Sequence, residues 1–133
     1  MLLTKETDYG IRGLINLALS EREYKSVRTI ASEEEIPYVF LRRIFNKLKS
    51  EGYIKTREGS CGGATLARPP EKINIADLAG ILQDKVEIIS CVFRSAPCRN
   101  RSDCPVRKKL KRAEKGLMED LRKITLKELS DEV

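Results

Sequence analysis

The chain has 133 residues, a formal net charge of +6, and 41% hydrophobic against 35% charged residues. That length supports one modest core. No run approaches the roughly 20 apolar residues of a membrane span and the N-terminus lacks a signal-peptide pattern, so a cytoplasmic location with no membrane partner is expected. Histidine is absent, which removes imidazole from any ligand set and any histidine general base.

The positive charge is clustered. Six Lys or Arg stand against one acid from Ile36 to Arg57, and eleven against four from Ile88 to Lys123. Basic faces of this kind suit a polyanion, most often nucleic acid, although lysines also simply solubilise helices.

In chain order, Thr7 to about Ser20 reads as an amphipathic helix with Ile11, Leu14, Ile15 and Ala18 on one side, capped by Thr7 or Asp8. Ser26 can cap a short second helix carrying Val27, Ile30 and Ala31. Ile36-Pro37 breaks it, and Pro37 suits the first turn of a third helix running to about Ser50. Its buried stripe is expected to be Phe40, Leu41, Ile44, Phe45 and Leu48, with Arg42, Arg43, Asn46, Lys47 and Lys49 pointing elsewhere. Helix spacing alone would also fit a plain helical hairpin.

The next residues decide between them. Gly52 ends the third helix, Tyr53 to Arg57 reads as a strand, Glu58 to Gly63 as a turn, and Ala64 to Ala67 as a return strand stopped by Pro69-Pro70. A hairpin directly after a cationic helix is the wing of a winged helix-turn-helix. The fold class expected is mainly α with a small β-hairpin, followed by a long dimerisation helix. Such a helix lies in the major groove of double-stranded DNA while the wing touches phosphates or the minor groove. The candidate DNA-binding residues are Tyr38, Val39, Arg42, Arg43 and Lys47 on the helix, with Lys55, Arg57 and Gly62 in the wing. Arginine can grip guanine with two hydrogen bonds, whereas Lys47 and Lys49 suit phosphates or solvent.

Asn74 can cap a fourth helix bearing Ile75, Leu78, Ala79 and Leu82. A loop then holds three of the four cysteines, Cys91, Cys98 and Cys104, punctuated by Pro97 and Pro105. Its prolines forbid a continuous helix and it is too poor in apolar residues for a core strand. Three such thiols can bind a metal or an iron–sulfur cluster, form a disulfide switch, or be unrelated small side chains. Reducing conditions in the cytosol count against a structural disulfide. Beyond the loop, Val106, Leu110, Ala113, Leu117, Leu121 and Ile124 form one apolar stripe on an otherwise charged helix. So narrow a stripe suits a partner helix, hence a homodimer, which also matches the two-fold symmetry of palindromic operators. Thr125 starts a last short helix, Leu126 to Leu129. The chain shows no nucleophile-and-base arrangement and no phosphate-binding glycine loop, so an enzyme is not expected.

Several stretches together resemble a known family: Met1-Leu-Leu-Thr4, Asp8-Tyr9-Gly10, Ile36 to Leu41, Phe45 to Leu48, and Gly52-Tyr53-Ile54. So do Gly62-Gly63 with Leu66-Ala67, the three spaced cysteines, and Ile124-Thr125-Leu126. In that order they are similar to the IscR/NsrR/CymR winged-helix regulators, the Rrf-two superfamily of bacterial repressors and activators, over nearly the whole chain. The resemblance implies a homodimer crossed by the long helix, beside a loop that in sensing members binds an iron–sulfur cluster through three cysteines, here Cys91, Cys98 and Cys104. Redox state, nitric oxide or iron–sulfur status would be the signal. On this reading residues 1–82 form the DNA-binding domain, 83–104 the cluster loop, and 105–133 the dimerisation and C-terminal helices.

The chain also departs from the family pattern. Where one branch has a histidine ligand three residues after the third cysteine, this chain has Arg107. The nitric-oxide-sensing branch uses an acidic residue from the partner's first helix, and Asp8 sits at the matching position as a candidate fourth ligand. The spacing from Cys91 to Cys98 leaves a 2Fe-2S and a 4Fe-4S cluster both open. Cys61, in the wing, stands where a small residue is usual, and reads as incidental or redox-reactive. A cluster-free thiol/disulfide or zinc-dependent regulator is the alternative.

Overall fold

A computed structural model describes residues 3–83 and 104–133; Cys91 and Cys98 lie outside these. Helix α1 spans Lys5–Leu19, α2 Val27–Glu33 and α3 Tyr38–Ser50, followed by strands β1 (Ile54–Arg57) and β2 (Gly63–Leu66). Helices α4 (Ile75–Leu82), α5 (Pro105–Lys123) and α6 (Leu126–Asp131) complete the order. No described helix is long and apolar enough to cross a membrane.

Helix α1 begins earlier than its apolar pattern suggests, and its cap is neither Thr7 nor Asp8. Thr4 is extended, and its hydroxyl accepts from Thr7 N at 3.3 Å. Thr7 is drawn inward and is fully buried. Its hydroxyl donates to Gln83 Oε1 at 2.7 Å, and the same oxygen accepts from Thr4 N at 3.1 Å. A buried hydroxyl needs such a partner, and here it ties the start of α1 to the end of α4.

Two glycines let α1 sink into the centre of the fold. A Cβ on Gly10 would lie 2.4 Å from Leu82 Cδ1, and one on Gly13 would lie 2.8 Å from Phe45 Cε1. The buried cluster around them joins Leu14 and Leu17 of α1 with Leu41, Ile44, Phe45 and Leu48 of α3 and Leu78 and Leu82 of α4. Phe40, expected in that stripe, is instead 44% exposed. At 100° per residue it lies a quarter-turn from Leu41 on the side away from Phe45, outside the arc that faces α1.

The turn between α2 and α3 is built without glycine. Glu35 takes a left-handed conformation (φ 54), and Ile36 N donates to Ala31 O at 2.9 Å, folding the Ile36 side chain under α2. Pro37 occupies the cap position of α3 rather than its first turn. Gly52, with φ 79, ends α3 and lets Tyr53 N reach Leu48 O at 2.9 Å. The strands then pair antiparallel with Ile54 opposite Leu66 and Arg57 opposite Gly63, so the return strand starts one residue before its expected position.

Helix α4 is capped as expected, Asn74 Oδ1 accepting from Asp77 N at 2.9 Å, and Thr125 caps α6 the same way through Glu128 N at 3.2 Å. Ile75 N donates to Ile124 O, and Leu126 N to Ile73 O, stitching the end of α5 to the start of α4. Leu121 and Leu126 therefore belong to the same core as α1 and α3.

Replacing Gly13 by alanine is expected to cost about 1–3 kcal/mol, because Phe45 and Leu41, both buried in the core, would have to shift. Gly80→Ala, at an exposed helical position with nothing within 4 Å, should be neutral or stabilise by up to about 1 kcal/mol. Denaturant unfolding of the two variants side by side checks both.

Candidate nucleic-acid interface and cysteine loop

The inner side of α3 is spent on the core, which leaves Val39, Arg42, Arg43, Asn46, Lys47 and Lys49 facing solvent. Val39 is 73% exposed, a large apolar side chain with no structural duty where it stands. Helical spacing sets Val39, Arg42, Arg43 and Asn46 on one outward side, a width suited to the major groove. Asn46 lies near its centre and was not among the residues picked from the sequence as DNA-binding. Its spacing of four from Arg42 was the available signal, and asparagine is the side chain that pairs with adenine through two hydrogen bonds.

Tyr38, at the start of α3, is half-buried, and the Arg28 guanidinium lies 4.1 Å from its ring centroid. Arg43 Nη2 donates to Glu6 Oε1 at 3.0 Å and sits 5.4 Å from the centroid of the Phe40 ring. Contacts of this cation–π type contribute about 0.5–1 kcal/mol at exposed sites, enough to bias where a guanidinium points.

In the wing, Lys55 and Arg57 are exposed along β1. Arg57 curls back, its Nη2 donating to Cys61 O at 2.9 Å while the guanidinium stacks 4.3 Å from the Tyr24 centroid. The space beside Gly62 is taken up within the wing, since a Cβ there would lie 2.1 Å from Arg57 O. Gly63 lies against the segment ahead of α2: a Cβ would come within 2.2 Å of Lys25 O. Lys25 and Ala64 exchange backbone hydrogen bonds of 2.8 and 3.0 Å, so the wing is fastened to the residues that lead into α2. The Lys25 ammonium also bonds Asn16 Oδ1 and Glu33 Oε2. The bond from Lys25, and then one that Asn16 Nδ2 donates to Glu33 Oε2 at 2.9 Å, hold the Glu33 carboxyl below its ordinary value. Arg28, Tyr24 and Glu6 carried no signal in the sequence, because their partners lie far along the chain.

Of the four candidate ligands for a metal or cluster, Cys104 and Asp8 are described. Cys104 is half-exposed at the cap position just outside α5, directly ahead of Pro105, and its thiol is free. Asp8 is not the α1 cap; its exposed carboxylate points outward, 3.5 Å from Arg12 Nη1. Among the described residues no group of three or more His, Cys, Asp or Glu side chains gathers at one point.

A solvent-facing cationic helix, entered through a tight turn from a shorter helix and followed at once by a two-stranded hairpin, defines a winged helix-turn-helix protein. The profile of the Rrf2 family, described as iron-dependent transcriptional regulator, matches residues 3–132. The chain belongs to that family, and it is a transcription regulator. It is 33% identical over 131 residues to the HTH-type transcriptional regulator NsrR of Shouchella clausii, covering 97% of this chain and 88% of that protein. Its fold superposes on CymR, the global cysteine regulator of B. subtilis, with a TM-score of 0.83 at 21% identity, covering 100% of this chain and 98% of that one. The oxidized form of Staphylococcus aureus CymR gives a TM-score of 0.79 at 26% identity, over 100% and 98% of the respective chains.

Gly63→Ala is expected to break the pairing of Ala64 with Lys25 and splay the wing, lowering DNA affinity with little loss of helix content. Circular dichroism beside a fluorescence-anisotropy titration with duplex DNA reads the two effects separately.

Proposed function

We propose that this regulator binds palindromic operator DNA as a homodimer, with its affinity set by an iron–sulfur cluster held by Cys91, Cys98 and Cys104. The observation that carries the DNA half is the outward side of α3, where Val39, Arg42 and Arg43 are exposed and none belongs to the core. In this reading Arg42 and Arg43 read base edges in the major groove, Val39 meets thymine methyl groups, and Tyr38, Lys47, Lys55, Arg57 and the backbone at Gly62 hold the duplex backbone.

The dimer reading is supported by α5. Val106 is 63% and Leu110 39% exposed, whereas Leu121 on the same stripe is 8% exposed. The first half of that stripe is uncovered in the single chain and offers a second copy an apolar seam.

The donor set fits a cluster in kind: three soft thiolate donors, no imidazole in the chain, and Cys104 held free at the start of α5. Such a cluster, when bound, supplies a centre reactive toward oxidants and nitric oxide. Cys104 hands any ordering of the loop to α5, since the next residue is helical. Asp8, outward on α1, is the candidate fourth ligand from the second copy. The equilibrium between DNA-binding and non-binding forms then follows which of them the ordered loop favours. A cluster-free reading, supported by the likeness to oxidized CymR, has two of the thiols give up two electrons and two protons to an oxidant and close a disulfide, or has the thiolates hold zinc.

Protein prepared without oxygen is expected to contain iron and acid-labile sulfide, with visible absorption that bleaches in oxidant. Ser in place of Cys91, Cys98 or Cys104 should remove the iron, and Asp8→Ala should alter the spectrum. Colourless, iron-free protein, or variants that keep full iron, would sink the cluster and leave the thiol or zinc reading.

Arg42→Ala combined with Arg43→Ala is expected to abolish retention of DNA in a native gel while leaving the melting temperature unchanged within a few degrees. An unaltered gel shift would remove α3 from the interface.

A further inference from the structure

The Glu6–Arg43 contact is not explained by stability. Both side chains are largely exposed, 46% for Glu6 and 63% for Arg43, and exposed ion pairs of this sort contribute only about 0–1 kcal/mol. Nor does the fold need Arg43, which lies on the side of α3 opposite the core. What the contact does fix is direction. One nitrogen of the guanidinium is committed to Glu6 at 3.0 Å while the group leans over the Phe40 ring. A guanidinium is a planar fork with five N–H donors. With one nitrogen engaged by a carboxylate and its position limited by an aromatic ring, its remaining donors have few directions left. Glu6 also brings a negative charge to a face otherwise lined by Arg42, Arg43 and Lys47, and it borders a concave surface lined by Thr4, Lys5, Lys47, Leu82 and Gln83.

We propose that Glu6 is a specificity-determining residue for operator DNA: it holds Arg43 in the orientation that reads a base and keeps it from pairing with phosphates. The inference rests on α3 being the reading helix. An unrestrained arginine beside a duplex is drawn to the nearest phosphate, which adds affinity but carries no sequence information. An arginine braced by a carboxylate loses that freedom, and the carboxylate repels phosphates from the same spot. Glu6 thereby lowers binding to arbitrary DNA and raises discrimination at one base pair of each half-site.

The test uses the full-length protein and a pool of duplexes with a randomised central segment, selected in parallel by wild type, Glu6→Gln, Arg43→Ala and Arg43→Lys. Wild type is expected to enrich a symmetric sequence, and Arg43→Ala to lose preference at one position of each half-site. Glu6→Gln should weaken preference at that same position by up to about fivefold, the limit set by an exposed ion pair of this kind, and so by less than Arg43→Ala. With a duplex of arbitrary sequence, Glu6→Gln should bind more tightly. Its plot of log affinity against log salt should steepen by about 0.9, as for one added phosphate contact. Arg43→Lys keeps the charge pair but lacks the fork, and should lose the base preference without that steepening.

Glu6 also complements the helix dipole in the first turn of α1. A role confined to that would lower the melting temperature of Glu6→Gln and leave preference and salt slope as in wild type, which overturns the proposal. If Arg43→Ala enriches the same sequence as wild type, Arg43 reads no base and the proposal falls alone, since Arg42 and Val39 still face outward on α3; if wild type enriches no sequence, the proposal falls together with the reading beneath it.

Discussion

Close approach of α1 to its neighbours is the constraint from which the remaining arrangement follows. Gly10 and Gly13 lie within one turn of each other on a helix that otherwise carries bulky side chains, and into the two gaps go Leu82 from α4 and Phe45 with Leu41 from α3. With α1 offering no side chain at those points, Leu41 and Phe45 of α3 pack directly on its backbone, which turns Val39, Arg42, Arg43 and Asn46 outward. The same contact sets the end of α4, and with it Gln83, beside the start of α1, where Thr4 and Thr7 bind the Gln83 amide oxygen. Helix α3 and the end of α4 thus share one support, the glycine-bearing side of α1.

The rest of the chain is attached to that support by a few backbone bonds. Lys25 and Ala64 fasten the hairpin to the segment ahead of α2, and Ile75, Ile124, Ile73 and Leu126 stitch the last two helices to α4. Such short bridges, each flanked by buried apolar side chains, explain how a hairpin of two four-residue strands keeps its place. They also tie the wing to the segment that leads into α2.

Much of this was legible in the sequence because the periodic signals are strong. The Leu41-Ile44-Phe45-Leu48 stripe, the stop at Gly52, the caps at Asn74 and Thr125 and the hairpin all follow from local rules. The misplaced residues share a physical cause: their roles depend on partners distant in sequence. Thr7 looked like a cap, but its hydroxyl goes to Gln83. Phe40 looked like core, but the helical phase that α1 selects excludes it. Glu6, Tyr24 and Arg28 gave no sign of their arginine or tyrosine partners, which only the tertiary fold brings near. The outward cations of α3 could be named from pattern alone, yet nothing in the pattern showed that Arg43 is braced and Arg57 folded back.

Lys55 and Arg57 have a second consequence, apart from any contact with a duplex. Among the described residues strand β1 pairs with β2 alone, so its other margin is a strand edge, the kind that recruits further strands and seeds aggregation. Two cations within four residues, on a strand no longer than Ile54–Arg57, make that margin repel its own kind. The charges that favour a nucleic acid are thus also a safeguard of solubility, and neutralising them would expose the hairpin to its own copies.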